Sequence, residues 1–247
     1  TKLAAELTIT LCFFWRIRSP MWEYVTYIEQ ALARDVSQLS EMHLRCWLGH
    51  FQWRLGAVED ARKNLTVATS QARKHEDKEY LVRKLIFQSK IDGSDLTKRI
   101  QSLDEAYVEL ASIDNNALLA SYHFNHGSVY YHQDADFNSC LPPLHKALEI
   151  YETLGDLHGI ASSIHLIGQA YGELGQREQS IGHAEQGLKL FRMQGNRVGV
   201  IKSLTYLAEH YTDSKNYNEA SQKLAEIHQI LQELQHPRKL AYPTFFE

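Results

Sequence analysis

The residues able to do chemistry come first, and the chain of 247 residues carries thirteen histidines. His123 and His126 stand three apart, with His132 and His145 further on. Zinc would need such spacing joined by Cys or carboxylate ligands in step, and none accompanies them. The reading is therefore no metal and no cofactor, with His126 a hydrogen-bonded packing residue. Cys140 with His145 and Glu149 has the residue types of a thiol nucleophile at the mouth of an irregular segment. A reactive thiol needs a lowered pKa that spacing alone does not supply. The three cysteines, Cys12, Cys46 and Cys140, lie far apart with no Cys-x-x-Cys pair. They read as buried small apolar residues in a reducing, cytoplasmic setting. Gly93-Ser94-Asp95-Leu96-Thr97-Lys98 lacks the second glycine that a phosphate loop places before its lysine. No enzyme is expected.

Formal charge is −4, without runs of like charge, which argues against direct nucleic-acid binding. The most apolar stretch, Leu7 to Ile17, is about half of the roughly 20 residues a bilayer crossing needs, so no membrane partner is expected. With only 5 prolines and 13 glycines to interrupt it, the chain should form long helices. It opens at Thr1 directly in helical pattern, as a chain cut from a longer polypeptide would.

The elements that position these residues repeat. Ile167-Gly168-Gln169-Ala170-Tyr171, then Gly175, Ile181, Ala184, Leu188 and Phe191, return 40 residues on as Leu207-Ala208-Glu209-His210-Tyr211, Lys215, Ser221, Leu224, His228 and Leu231. Gly127 with Tyr130, and Leu48-Gly49 with Gly56, Ala61, Leu65 and Ala68, head further copies. Weaker ones centre on Ser89 and on Cys12. Six units of about 40 residues follow, near 3–36, 39–75, 77–113, 116–154, 157–194 and 197–235, in a single domain over 1–236 with a tail at 237–247. Within a unit, apolar residues step by three or four, the helical period. Gly155, Gly175 and Gly195 suit left-handed helix caps, and Asp156 and Asn196 suit the start of the next helix. The product is an all-α stack of antiparallel hairpins whose two helices cross closely at Gly49, Gly127, Gly168 and Ala208. Pro142 and Pro143 should push the start of the second helix of unit four to Ser139 or Cys140, after a long loop at about Gln133 to Asn138.

These positions resemble the tetratricopeptide repeat (TPR), lengthened from its usual 34 residues. The resemblance implies a right-handed α-α superhelix, a solenoid of about six TPR-like hairpins. The segment Leu11-Cys12-Phe13-Phe14-Trp15-Arg16-Ile17-Arg18-Ser19-Pro20, followed by Trp22 and Tyr27 to Ala33, resembles the start of the repeat region in bacterial multidomain signal-transduction ATPases of the STAND class. There the repeats act as sensor or partner-binding arm.

In the TPR family the first helix of each hairpin lines the concave side. Its inward positions lie six and three before the small crossing residue and one, four and five after it. Carried over, they give His43, Cys46, His50, Trp53 and Arg54; Arg83, Ile86 and Lys90; Ser121, Phe124, Ser128, Tyr131 and His132; Ser162, His165, Gln169 and Glu173; and Lys202, Thr205, Glu209, Thr212 and Asp213. Such a groove is basic in its early units and acidic in its late ones. It implies a protein or peptide segment as ligand, with Arg54, Arg83 and Lys90 clamping its anionic end. The implied role is the sensor or interaction arm of a larger bacterial signalling ATPase or transcriptional regulator. A stand-alone scaffold or adaptor and a signal-peptide-responsive regulator are the alternatives. The last apolar face, at Leu224, Ile227, Ile230, Leu231 and Leu234, needs cover from the tail, from more chain, or from a second copy in a homodimer through end helices.

Overall fold

The computed structural model describes residues 2–15, 21–91, 95–133 and 137–234. They form twelve helices with no strand among them. These are α1 (Lys2–Trp15), α2 (Met21–Leu32), α3 (Gln38–Arg54), α4 (Val58–Lys74), α5 (Lys78–Ile91), α6 (Leu96–Leu110), α7 (Asn116–Gln133), α8 (Phe137–Leu154), α9 (Leu157–Glu173), α10 (Arg177–Met193), α11 (Arg197–Asp213) and α12 (Tyr217–Leu234). Consecutive helices pair into six hairpins, and their contacts divide the chain into two compact units, Thr1–Asp114 and Asn115–Arg238. Each unit is described by itself. The residues 16–20 and 235–247, with the repeat-start motif's end and the C-terminal tail, lie outside the described residues.

Small residues hold each hairpin together where its helices cross. A β-carbon built on Gly127 would stand 2.6 Å from Leu144 Cγ and 2.9 Å from the Cys140 carbonyl oxygen across the hairpin. On Gly168 it would stand 2.9 Å from His183 Cβ, and on Gly49 3.1 Å from the Ala61 carbonyl oxygen. The third hairpin manages with Ser89, whose hydroxyl folds back onto the Ile86 carbonyl at 2.7 Å while its own carbonyl accepts from the buried Arg99 Nε at 2.7 Å.

A second close approach joins one hairpin to the next. The ring of Tyr151 on α8 covers Gly159 on α9, and that of Phe191 on α10 covers Gly199 on α11, each within 2.4 Å of where a β-carbon would stand. The sequence pattern did not single out these two glycines. Their signal was present as the same Gly two residues into the helix, 40 residues apart.

The junctions between hairpins share one chemistry. Gly155 and Gly195 take positive φ, 66° and 63°, and the next residue's N–H reaches back to the carbonyl of Tyr151 or Phe191 at 3.0 and 2.9 Å. That same residue then caps the following helix. Asp156 accepts from the His158 and Gly159 amides, and Asn196 from the Gly199 amide. Ser37, Asp77 and Asn115 accept an amide three residues on in the same way, at 3.2, 3.0 and 3.1 Å. The turns within hairpins also use left-handed residues: Gly56, Gly175 and, in the last hairpin, Lys215 at φ 58°.

The fourth hairpin departs from expectation. Helix α8 begins at Phe137, so Pro142 and Pro143 lie inside it and only 134–136 separate it from α7. The carbonyls that lose an amide partner four residues back belong to Asn138 and Ser139, both exposed, where solvent can hydrogen-bond them. The helix therefore tolerates two prolines near its start.

Two glycines separate crossing from propensity. Gly127→Ala should cost about 1–3 kcal/mol by forcing Leu144 and the Cys140 backbone apart. Gly182→Ala, on the open side of α10 with nothing within 4 Å of its β-carbon, should stabilise by about 0.5–1 kcal/mol. Urea midpoints of the two variants moving in the same direction would refute the crossing role.

Candidate functional site

Within each unit the first helices of successive hairpins, α1, α3 and α5 or α7, α9 and α11, approach one another, while no two second helices do among the described residues. The first helices therefore form the inner side of each unit. Long side chains bridge second helices, as in Arg73–Glu105 at 2.9 Å and Arg192–Glu226 at 2.6 Å.

On the inner side of the first unit, α3 and α5 bring together His43, His50 and Trp53 with Tyr80, Arg83 and Phe87. His43 lies edge-on to Tyr80 at 5.2 Å, and Tyr80 donates its hydroxyl to the Met42 carbonyl at 2.6 Å. Burial makes His43 harder to protonate, opposed by Asp77 and reinforced by Arg83. His50 sits 4.9 Å from the Phe87 ring, and Trp53 meets the same ring edge-on at 5.8 Å. The result is an aromatic floor with Arg54, Arg83 and Lys90 half-buried around it. Cys46 and Ile86, inward by the family's spacing, are buried and offer no surface to a ligand. Burial also pushes the Cys46 thiol up, away from reactivity. Cys12 and Cys140 are likewise buried. Cys140 packs with Leu144, Leu166 and Ile167, in keeping with its reading as a buried apolar residue.

On the inner side of the second unit, Ser121, Phe124, Ser128, Tyr131, Ser162, His165, Gln169 and Thr205 are half-buried, whereas His132, Glu173, Lys202, Glu209, Thr212 and Asp213 are exposed. Phe124 turns partly into the core. Tyr131, Glu173 and Tyr206 converge from three successive first helices. Burial raises the Tyr131 hydroxyl, and the neighbouring Glu173 charge raises it further. Burial, then Asp213, raises the Glu209 carboxyl. Thr212 spends its hydroxyl on the Ala208 carbonyl at 2.8 Å. His126 packs between Tyr122 and Tyr130, at 5.5 and 5.0 Å between ring centres. Among the described residues no three His, Cys, Asp or Glu side chains are grouped to hold a metal.

One polar cluster went unnoticed in the sequence. The Tyr206 hydroxyl lies 3.0 Å from Ser180 Oγ and donates to the carbonyls of Gly168 and Gln169 at 3.2 and 3.3 Å, and Ser180 Oγ also meets His210 Nε2 at 3.1 Å. Gly172 makes room for it, since a β-carbon there would collide with the Tyr206 oxygen. A glycine at an inward position was the available signal.

The fold so described is that of the TPR-type helical repeat proteins, and solved structures bear this out. The chain matches a Rap protein complexed with Competence and Sporulation Factor at TM-score 0.78 and 13% identity, over 96% of this chain and 66% of that one. It matches NprR in complex with its cognate peptide NprX at TM-score 0.68 and 10% identity, over 97% and 75%. A STAND protein with a tetratricopeptide repeat sensor from Pyrococcus horikoshii matches at 0.64 and 16%, over 93% of this chain and 36% of that one. The chain thus spans about two thirds of the Rap protein and about a third of the STAND protein. No family model and no curated protein matches the sequence.

Five partly buried histidines carry a pH signature. Burial, with a lesser push from Lys202, brings His165 down to about 4, and burial lowers His43, His123, His145 and His210 as well. Between the ordinary histidine value of 6.5 and about 4 the unfolded chain therefore binds more protons than the folded one. Stability is full above that window and falls as pH drops through it. His165→Asn should flatten the fall in thermal midpoint by removing a contribution of up to about 3 kcal/mol. A variant with an unaltered pH profile would show that His165 does not contribute.

Proposed function

We propose that the chain is a non-enzymatic module that captures an extended protein or peptide segment on its inner helix faces. It serves as the sensor or interaction arm of a larger signalling ATPase or transcriptional regulator in a bacterial cytoplasm. The observation that carries this reading is the make-up of the inner faces. Half-buried aromatic rings lie beside charged groups there, with Arg54, Arg83 and Lys90 in the first unit and Glu173, Glu209 and Asp213 in the second. An extended segment needs polar partners for its amides and pockets for a few side chains, and such faces supply both. The likeness to NprR, solved with its cognate peptide, and to a STAND protein whose repeats are described as a sensor supports the reading.

Signalling follows from population shift. A ligand that binds one curvature of the stacked hairpins more tightly than another biases the array toward it by that difference in affinity. Nothing in this requires bond-making chemistry. The first unit supplies the contacts for acidic side chains, and Arg54 and Arg83 are the residues that recognise them.

Panning the purified chain against a display library of linear peptides should enrich binders, with acidic sequences among them. For an acidic binder, Arg54→Glu combined with Arg83→Glu should weaken affinity by about 10- to 100-fold while circular dichroism stays unchanged. Enrichment of no peptide would reject the binding role. Affinity unmoved by the double reversal would reject the two arginines as its recognition element.

A further inference from the structure

A notch of about 220 Å³ lies outside the inner-face residues, at the joint between α4 and α5 in the first unit. Buried Ala72 and Leu81 form its floor, and Arg73, Glu76, Asp77, Lys78 and Glu109 form its rim. Most of the rim is already engaged. Arg73 pairs with Glu105 at 2.9 Å, and Lys78 pairs with Glu109 at 3.7 Å and donates to the Ser112 hydroxyl at 2.9 Å. Asp77 accepts the Tyr80 amide at 3.0 Å. The exposed Glu76 carboxylate has neither an ion pair nor a hydrogen bond among the described residues. Helices α4 and α6 both finish at this rim, with Arg73 and Glu109 in their last turns, so two negative helix ends reinforce its charge.

The backbone at Glu76 is strained. It holds φ 53°, the left-handed conformation that Gly155 and Gly195 take at the matching joints. The bonding of the joint is the same, with the Asp77 amide reaching back to the Ala72 carbonyl at 3.2 Å as Asp156 and Asn196 reach back to theirs. Glycine would close this joint without strain. A glutamate in that conformation, unpaired beside an apolar floor, points to a role for the side chain outside folding.

We propose that the notch takes an arginine side chain of a partner protein, with the guanidinium on the Glu76 carboxylate and the alkyl stem over Leu81 and Ala72. The volume admits one long side chain and not a folded element. Positive charge is required because Glu76 is the acid that the rim leaves unneutralised. Guanidinium suits the place better than ammonium, since its planar fork meets a carboxylate through two hydrogen bonds and it sheds water more easily. The proposal does not depend on the inner faces binding a peptide.

Titrating acetyl-arginine-amide into the isotope-labelled chain of 247 residues should give saturable amide shifts confined to Ala72, Glu76 to Leu81 and Glu109. Acetyl-citrulline-amide, of the same shape without the charge, should give none. Glu76→Gln should weaken arginine binding by about fivefold, and Glu79→Gln, exposed on α5 outside the notch, should leave it unchanged. Glu76→Gly should also lose binding while raising the thermal midpoint by about 1–3 °C, which separates a lost contact from a damaged joint. Shifts that scatter over the acidic surface without saturating, an equal response to citrulline, or an affinity unmoved by Glu76→Gln would overturn the proposal. Saturation of the notch by free spermidine but not by acetyl-arginine-amide would overturn the partner-protein source.

Discussion

The closeness of neighbouring helix backbones governs this molecule. A pair of helices about 17 residues long presents an apolar stripe too narrow to close on itself, so it must be covered on both sides. Cover is effective only if the axes approach, and they approach where a side chain is missing. Gly49, Gly127 and Gly168 supply that absence within hairpins, and Gly159 and Gly199 supply it between them. The large rings of Tyr151 and Phe191 fill what the second pair of glycines leaves open. Remove either half and the buried stripe on the other side loses its lid.

Much of this was legible in the sequence because its physical cause is periodic. The six hairpins, their crossing residues and the glycine caps all follow from residue types returning every 40 positions or so. Helix α8 was misread for a local reason. Proline removes an amide donor wherever it sits, but whether that matters depends on whether the orphaned carbonyl faces water, and Asn138 and Ser139 do. That information belongs to the packing and not to the residue. The Tyr206, Ser180 and His210 cluster was hidden for a related reason. It joins α9, α10 and α11, so no single repeat contains it, and comparison of repeats erases it.

The inner faces show how a repeat scaffold acquires chemical character. Spacing within the TPR pattern says which residues point inward but not how far they protrude. Cys46 and Ile86 are withdrawn into the core, while Glu173 and Glu209 stand clear. His43 and Trp53 lie between those extremes, each leaning on an aromatic ring from the next hairpin. Such residues are supported from behind and wet in front.

The joints between hairpins have a mechanical meaning. At Gly155-Asp156 and Gly195-Asn196, two residues close one helix and open the next, and every amide there is tied to a partner on one side or the other. A joint of that kind has no slack in which a hinge could form. Bending must then be shared along the faces of the helices as small slips of side chain over side chain, in the manner of a leaf spring, so that a push delivered anywhere on a unit is felt along its length.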